Sequence, residues 1–358
     1  MSTKFKIPFA KPFITRKERR AVDKVLRSGQ LGAGKVVEEF EEQFAQYTGA
    51  KYAVAVSSGT AALFLSLKAL GIKEGDRVGV PSITFTASAS VIRHCNAIPV
   101  FTDITINSLT INTNPHLENP TIKALVSVAL TGNPSMTMGG RGGPVNIPTI
   151  IDSAHKINKG CHYGDLQTYS FHPTKNMTTG FGGMVTTDNE EYAKYIRKAR
   201  RHGCIKYDSN EPMNARSRRW GYDVEFCGWK MNMTNIQAAM GIEQLKRLDD
   251  MNRERQRCID RYNKNLGFMR TGLHLYPVFV EDRERFMTLM ELAGIQCSVH
   301  FQPLHKMKAY EDLYTPDLPV TDWVGERIVS LPLFPQLKDH EIDYVCQKVK
   351  TSGLLISQ

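Results

Sequence analysis

Short β-branched runs alternate with helical patterns along the first two-thirds of this 358-residue chain, and that alternation excludes most folds. The runs YAVAVS (52–57), RVGVPS (77–82), IPVFTDI (98–104), IKALVSVAL (122–130), PTIIDSA (148–154), LQTYSFH (166–172) and GGMVTT (182–187) are each bounded by turn residues. Residues 15–26, 36–47 and 60–70 carry helical periodicity, the last with Leu63, Leu67 and Leu70 on one face. The expected class is α/β, a mostly parallel sheet with helices on both faces. A long amphipathic segment, 234–266, breaks the alternation, and a smaller α+β unit follows, with HLYPVFV and CSVHF as strands and EDRERFMTLMELAG as a helix. The expected division is a large domain over residues 1–235 and a small C-terminal domain over 236–358.

Charge narrows the ligand. Lysine and arginine number 46 against 36 aspartates and glutamates, and the +10 balance is spread along the chain, which favours anionic ligands such as nucleotides, phosphates or nucleic acid. The basic clusters RKERR (16–20) and RKARR (197–201) are short, helix-borne and without interleaved aromatics, so they read as solvated faces and no nucleic acid is expected. Cys95, Cys161, Cys204, Cys227, Cys258, Cys297 and Cys346 are scattered, with no CxxC pair and no metal-ligand cluster. They read as reduced thiols, and no metal is expected. The start, MSTKFKIPFAKPF, has no apolar signal core, and no run is long enough to span a bilayer, so a cytoplasmic protein without a membrane partner is expected.

Three motifs carry chemistry. SSGTAAL, Ser57 to Leu63, closes a strand and opens a helix, so free backbone N–H groups and the positive helix end meet at small residues, a good phosphate site. A plain serine N-cap would use the same residues. Asp152 ends PTIID, at the strand tips where ligands of open α/β sheets sit, and a protonated pyridine nitrogen would partner it; a helix cap is the alternative. Lys175 follows one strand later in SFHPTKN, beside Ser170, a stiffening Pro173 and the glycines of TTGFGG. Most lysines are solvated surface charges, but one converging with a carboxylate can serve as a nucleophile. Phe85, just after the strand 77–82, is placed to cover a pyridine face, or to fill core.

With these residues in place the sequence resembles the DegT/StrS family of nucleotide-sugar aminotransferases, which use pyridoxal 5′-phosphate on the aspartate-aminotransferase fold. The resemblance runs through SSGTAAL, PSITFTASASVI, IDSAH, GDLQTYSFHPTKN, TTGFGGMVTT, GWKMNMTNIQAAMGIEQLKRLD and GIQCSVHFQPLH, in the family's order. It implies that Lys175 anchors the cofactor covalently and then moves protons, that Asp152 keeps the pyridine nitrogen protonated, and that His155 sits by the phenolic oxygen. Phe85 would stack on the ring, and Gly59, Thr60 and Ser170, with Ser58 nearby, would bind the phosphate. A neighbouring subunit would reach that phosphate through GWKMNMT, with Asn232, or else Lys230, as the contact, which implies a homodimer with its active site at the interface. His300 and His305 match a motif near the substrate end, although a packing role is equally open.

Three features depart from the family. Phe181 stands where many members carry glutamate in GEGG; GWKMNM replaces the commoner GYNYRM; and PSMTMGGRGGPVN replaces an expected helix before the aspartate strand. The GGRGG inside it lacks the flanking strand and helix of a dinucleotide fingerprint. The implied reaction is transfer of an amino group from glutamate to a keto group of a nucleotide-linked deoxysugar, for surface polysaccharide or glycoconjugate synthesis. Lys175 separates the chain from related dehydratases, which carry histidine there. Two alternatives stand beside it: a keto-cyclitol aminotransferase, and a catalytically idle binding or regulatory protein with the same fold.

Overall fold

The computed structural model describes residues 5–112, 121–132, 147–157, 159–160, 162–206 and 222–356. The Gly-rich loop 134–146 lies outside them. One sheet holds β1 (Tyr52–Val56), β2 (Arg77–Pro81), β3 (Ile98–Thr102), β4 (Ile122–Val128), β5 (Thr149–Asp152), β6 (Leu166–Ser170) and β7 (Gly183–Thr187), in the order β1-β7-β6-β5-β4-β2-β3. The pairs from β6 through β5, β4 and β2 to β3 are parallel, whereas β7 runs antiparallel to both its neighbours. The expected mostly parallel sheet is therefore present, with β7 returning antiparallel. The connection from Ser170 to Gly183 carries Lys175 and holds no crossover helix, which a parallel return would need.

Both faces of the sheet are covered, and the period of two in β1 shows how. Val54 and Val56 face one core, with Leu65 and Leu67 of α3 (Gly59–Ala69), Val91 and Ile92 of α4 (Ala87–His94) and Ile196 of α5 (Glu190–Ala199). Ala53 and Ala55 face the other, where Phe40 and Phe44 of α2 (Lys35–Thr48) pack edge-on or tilted against Tyr169 and Phe171. Alanines in β1 leave room for those rings. α1 (Arg16–Ser28) starts on a capping box between Thr15 and Glu18. Glu18 is fully buried and accepts from Arg247 and Gln244 at 2.6 and 2.8 Å, so this helix is fastened at its first turn.

The segment expected as one long amphipathic stretch is two helices, α6 (Asn235–Leu245) and α7 (Leu248–Leu266). Between them Arg247 turns to Glu18 and the Phe13 carbonyl, a tertiary pull that periodicity does not reveal. α6 packs on α1 and α2, and α7 passes from the core containing Leu248 and Met251 to a second core containing Cys258, Ile259 and Tyr262. That second core is completed by α8 (Arg283–Leu292), α10 (Asp339–Thr351) and the antiparallel pair β10 (Tyr276–Phe279) and β11 (Ile328–Leu331), with α9 (Pro319–Arg327) preceding β11. A further antiparallel pair, β8 (Cys204–Lys206) and β9 (Tyr222–Val224), exposes Tyr222 and Val224.

CSVHF is not a strand. Ser298 makes a single bridge to Ser330, and His300 is then held by its side chain, to Ser330 Oγ at 3.1 Å and against the Phe9 ring. In RKARR, Arg200 turns inward to Glu41 and the Ala55 carbonyl, while Arg201 stays exposed. No helix among the described residues is long and apolar enough to cross a membrane.

One close approach fixes the sheet against the start of α3. A Cβ added to Gly183 would lie 2.3 Å from the Ser58 carbonyl oxygen and 2.8 Å from the Gly59 nitrogen. Both are backbone atoms and cannot swing away. Gly183→Ala is expected to destabilise the protein by roughly 1–3 kcal/mol, the usual range for overpacking. An unchanged thermal midpoint would show that the corner is looser than it stands here.

Candidate active site

Parallel strands β5 and β6 end side by side, and a cavity of about 490 Å³ opens beyond their carboxyl ends. The ends of β5 and β6 supply Asp152 and Ser170, the start of α3 Gly59 and Thr60, and the connections after β1, β2, β5 and β6 Ser58, Phe85, His155 and Lys175, while the C-terminal part adds His300. These nine of the residues singled out from sequence share one lining. Asn232 and His305 stand outside it. His305 is held between Ser82 Oγ at 2.8 Å and Asp322 at 3.2 Å. Asn232 bridges the backbone of Val56 and donates to the Met233 carbonyl at 3.2 Å, while Lys230 beside it is exposed.

Asp152 is 7% exposed, and both its oxygens are taken: Ser88 Oγ donates to Oδ2 at 2.8 Å and the Ala154 amide to Oδ1 at 3.1 Å. Burial raises its pKa, and these two hydrogen bonds with the Lys175 charge pull it back towards ionisation. Lys175 is the other half of the balance. Burial pushes its ammonium down to about 8, against the upward pull of Asp152.

Three histidines crowd the same space. His155 Nδ1 lies 3.0 Å from the Leu130 carbonyl, which can only accept, so Nδ1 carries the proton and Nε2 remains an acceptor. Its ring meets that of His274 at 4.3 Å and that of His300 at 6.4 Å between centroids. Burial, then the nearby Lys175 charge, pushes His155 well below its ordinary value and His300 down to about 4; burial and its charged neighbours lower His274 likewise. All three are therefore neutral at physiological pH.

Phe85 is 58% exposed at the cavity mouth, 5.9 Å from Phe301, and not in the core. Phe181 is 64% exposed, edge-on to His172, and its carbonyl accepts from Thr179 and Gln237. At the phosphate corner the Ser58 side chain accepts from the Ala61 amide, so the N-cap role is filled. Gly59 and Thr60 remain as the first amides of α3, without intrahelical acceptors. A Cβ on Gly59 would lie 2.9 Å from Ser170 Cβ. A helix end that only glycine can close, an exposed ring, a buried carboxylate and a depressed lysine fit pyridoxal phosphate. Among the described residues no group of His, Cys, Asp and Glu could hold a metal.

Residues 12–350 match the DegT/DnrJ/EryC1/StrS aminotransferase family. The chain belongs to that family. It is 37% identical to the spore coat polysaccharide biosynthesis protein SpsC of Bacillus subtilis, over 96% of each chain. Among solved structures it resembles the PLP form of the candidate sugar aminotransferase Spr1654 of Streptococcus pneumoniae, at 29% identity and TM-score 0.86, over 97% of this chain and 98% of that one. It also resembles NtdA of Bacillus subtilis with bound PMP, at 29% identity and TM-score 0.83, over 95% and 82%. The chain is thus a pyridoxal-phosphate-dependent aminotransferase with the α/β fold of that class.

Ser88 and His274 escaped the sequence reading. Within PSITFTASAS only Phe85 stands out, and His274 looks like the edge of the strand HLYPVFV. Only the fold brings Ser88 to Asp152 and His274 to His155. The depressed lysine is open to measurement in the aminotransferase without its cofactor. A small amine-reactive reagent should label Lys175 along a pH profile with its midpoint near 8, because only the neutral amine reacts. A midpoint in the ordinary lysine range, about 10.4, would contradict the burial described here.

Proposed function

We propose that this aminotransferase moves an amino group from glutamate onto a keto group of a nucleotide-linked deoxysugar, for surface polysaccharide or glycoconjugate synthesis in the cytoplasm. The observation that carries the reading is the convergence of Lys175 and Asp152 on one cavity with the Gly59–Thr60 corner. The polysaccharide role named for the Bacillus subtilis relative supports the substrate class.

Bound pyridoxal phosphate supplies an electron sink for breaking a bond at the donor's Cα. Everything else is done by the chain. Asp152, held by Ser88 and the Ala154 amide, keeps the pyridine nitrogen protonated. Ser170 and the amides of Gly59 and Thr60 take the phosphate, where the positive end of α3 favours an anion. Phe85 would cover the ring, and His155 would offer Nε2 as an acceptor. Lys175 would anchor the cofactor, and its free Nζ would accept the proton from the donor's Cα and return it. A pKa near 8 leaves a usable share of neutral amine near physiological pH, as a general base needs.

Lys175 is the cationic side chain of this lining among the described residues. A nucleotide sugar adds a diphosphate to the cofactor's own phosphate, so more positive charge has to come from elsewhere. The segment 228–234 of a second subunit is our source in a homodimer: Lys230 would bring the charge, and Asn232 a neutral hydrogen-bond donor. His300 faces the substrate side of the cavity. His305, outside it, orients the turn that follows.

The deciding experiment is an absorption spectrum with added pyridoxal phosphate, followed by borohydride reduction and peptide mapping. A visible band, bleached by glutamate and reduced onto Lys175, is the expected result. Lys175→Ala should lose transamination entirely while keeping its fold, and Asp152→Asn should lose roughly 100-fold or more in kcat. Full activity in Lys175→Ala would sink the proposal.

A further inference from the structure

The peptide after the lysine is held by a buried cation. Arg255 of α7 is 5% exposed, and Nη2 donates to the Asn176 carbonyl at 2.9 Å while Nη1 donates to Asn252 Oδ1 at 3.2 Å. Among the described residues it makes no ion pair. Burial lowers its pKa to about 10, so it stays charged at neutral pH. An unpaired buried charge is expensive, and a neutral amide could satisfy one carbonyl. A guanidinium at this place therefore calls for a reason.

Its surroundings supply one. Asn176 is 2% exposed, and its Nδ2 donates to the Leu273 carbonyl at 3.1 Å, directly before His274. The Thr178 amide donates to Gln244 Oε1 at 3.3 Å, and the Lys175 amide to the His172 carbonyl at 2.9 Å. The loop bearing the lysine is thus fastened from α6 and α7 on one side and from the chain entering the histidine cluster on the other. We propose that Arg255, acting with Asn176, is a positioning residue: it fixes the peptide after Lys175, so that the Nζ is aimed into the cavity. This rests on the reading of Lys175 as cofactor anchor.

The test compares Arg255→Met, which keeps length without donors, and Arg255→Lys with the wild type. With pyridoxal phosphate bound, Arg255→Met should lose roughly 10- to 100-fold in kcat, the scale of a misplaced reacting group. The KM values for donor and acceptor should hardly move, and the ellipticity of the visible cofactor band should change, because a differently aimed lysine tilts the ring. In the cofactor-free protein, amide exchange over 172–178 should quicken. Arg255→Lys should recover most of each. A lowered thermal midpoint with unchanged kcat, band and exchange would make Arg255 mere filling and overturn the inference. Should Arg255→Met fail to fold, Asn176→Ala, which removes the tether to Leu273, decides in its place: unchanged kcat and band would again overturn the proposal. If the wild type itself shows no band on Lys175, the anchor reading fails and takes this one with it; a normal wild type beside an unaffected variant removes this inference alone.

Discussion

The burial of Asp152 opposite Lys175 is the constraint around which this protein is built. A carboxylate at the end of a central strand cannot be solvated, so it must find donors and a cation. Ser88 and the Ala154 amide provide the first, and Lys175 the second. The lysine in turn is withdrawn from water far enough to drop towards neutrality, yet Asp152 keeps it from dropping further. Each group sets the other's protonation, and a cofactor carrying a pyridine nitrogen and an aldehyde addresses both at once. The parallel order of β4, β5 and β6 is what places the two side chains at one edge.

Close backbone packing shapes another part of the same lining. β7 passes so close to the start of α3 that Gly183 leaves no room for a side chain, while Ser170 at the end of β6 crowds Gly59 in the same way. That approach depends on β7 returning antiparallel, which in turn depends on the short connection carrying Lys175. Lysine loop, antiparallel strand and phosphate corner are therefore one piece of construction, and a change to any of them reaches the others.

Much of this was legible in the residues, for a physical reason: buried parallel strands must be apolar throughout, and their carboxyl edge must hold what function needs. All seven strands of the large sheet, α1 to α3, β10 and α8 follow from periodicity and turn residues. Ser58, Gly59, Thr60, Asp152 and Lys175 stand out because small residues and isolated charges at strand ends have few other uses. Where the reading failed, long-range contacts decided. The break between α6 and α7 is made by Arg247 reaching Glu18, and CSVHF gives up strand geometry for the contacts of His300 with Ser330 and Phe9. Ser88, His274 and Arg255 act on partners 64, 119 and 79 positions away, by 152 − 88, 274 − 155 and 255 − 176, a separation that local patterns do not report.

The histidines show why burial alone does not make a charged site. Three imidazoles beside a lysine could have raised the local positive charge, yet withdrawal from water and the neighbouring Lys175 charge keep His155, His274 and His300 neutral. Within the described lining the ionic groups then reduce to Asp152 and Lys175, a balanced pair. A phosphate entering this space meets the dipole of α3 and hydroxyl groups, not a cation of its own to match its charge. Neutral histidines are also free to accept: with Nδ1 committed to Leu130, the His155 Nε2 can take a hydrogen bond without adding charge. Burial of the surrounding imidazoles, which holds them below their ordinary values, thus keeps them from competing with Lys175 for a proton.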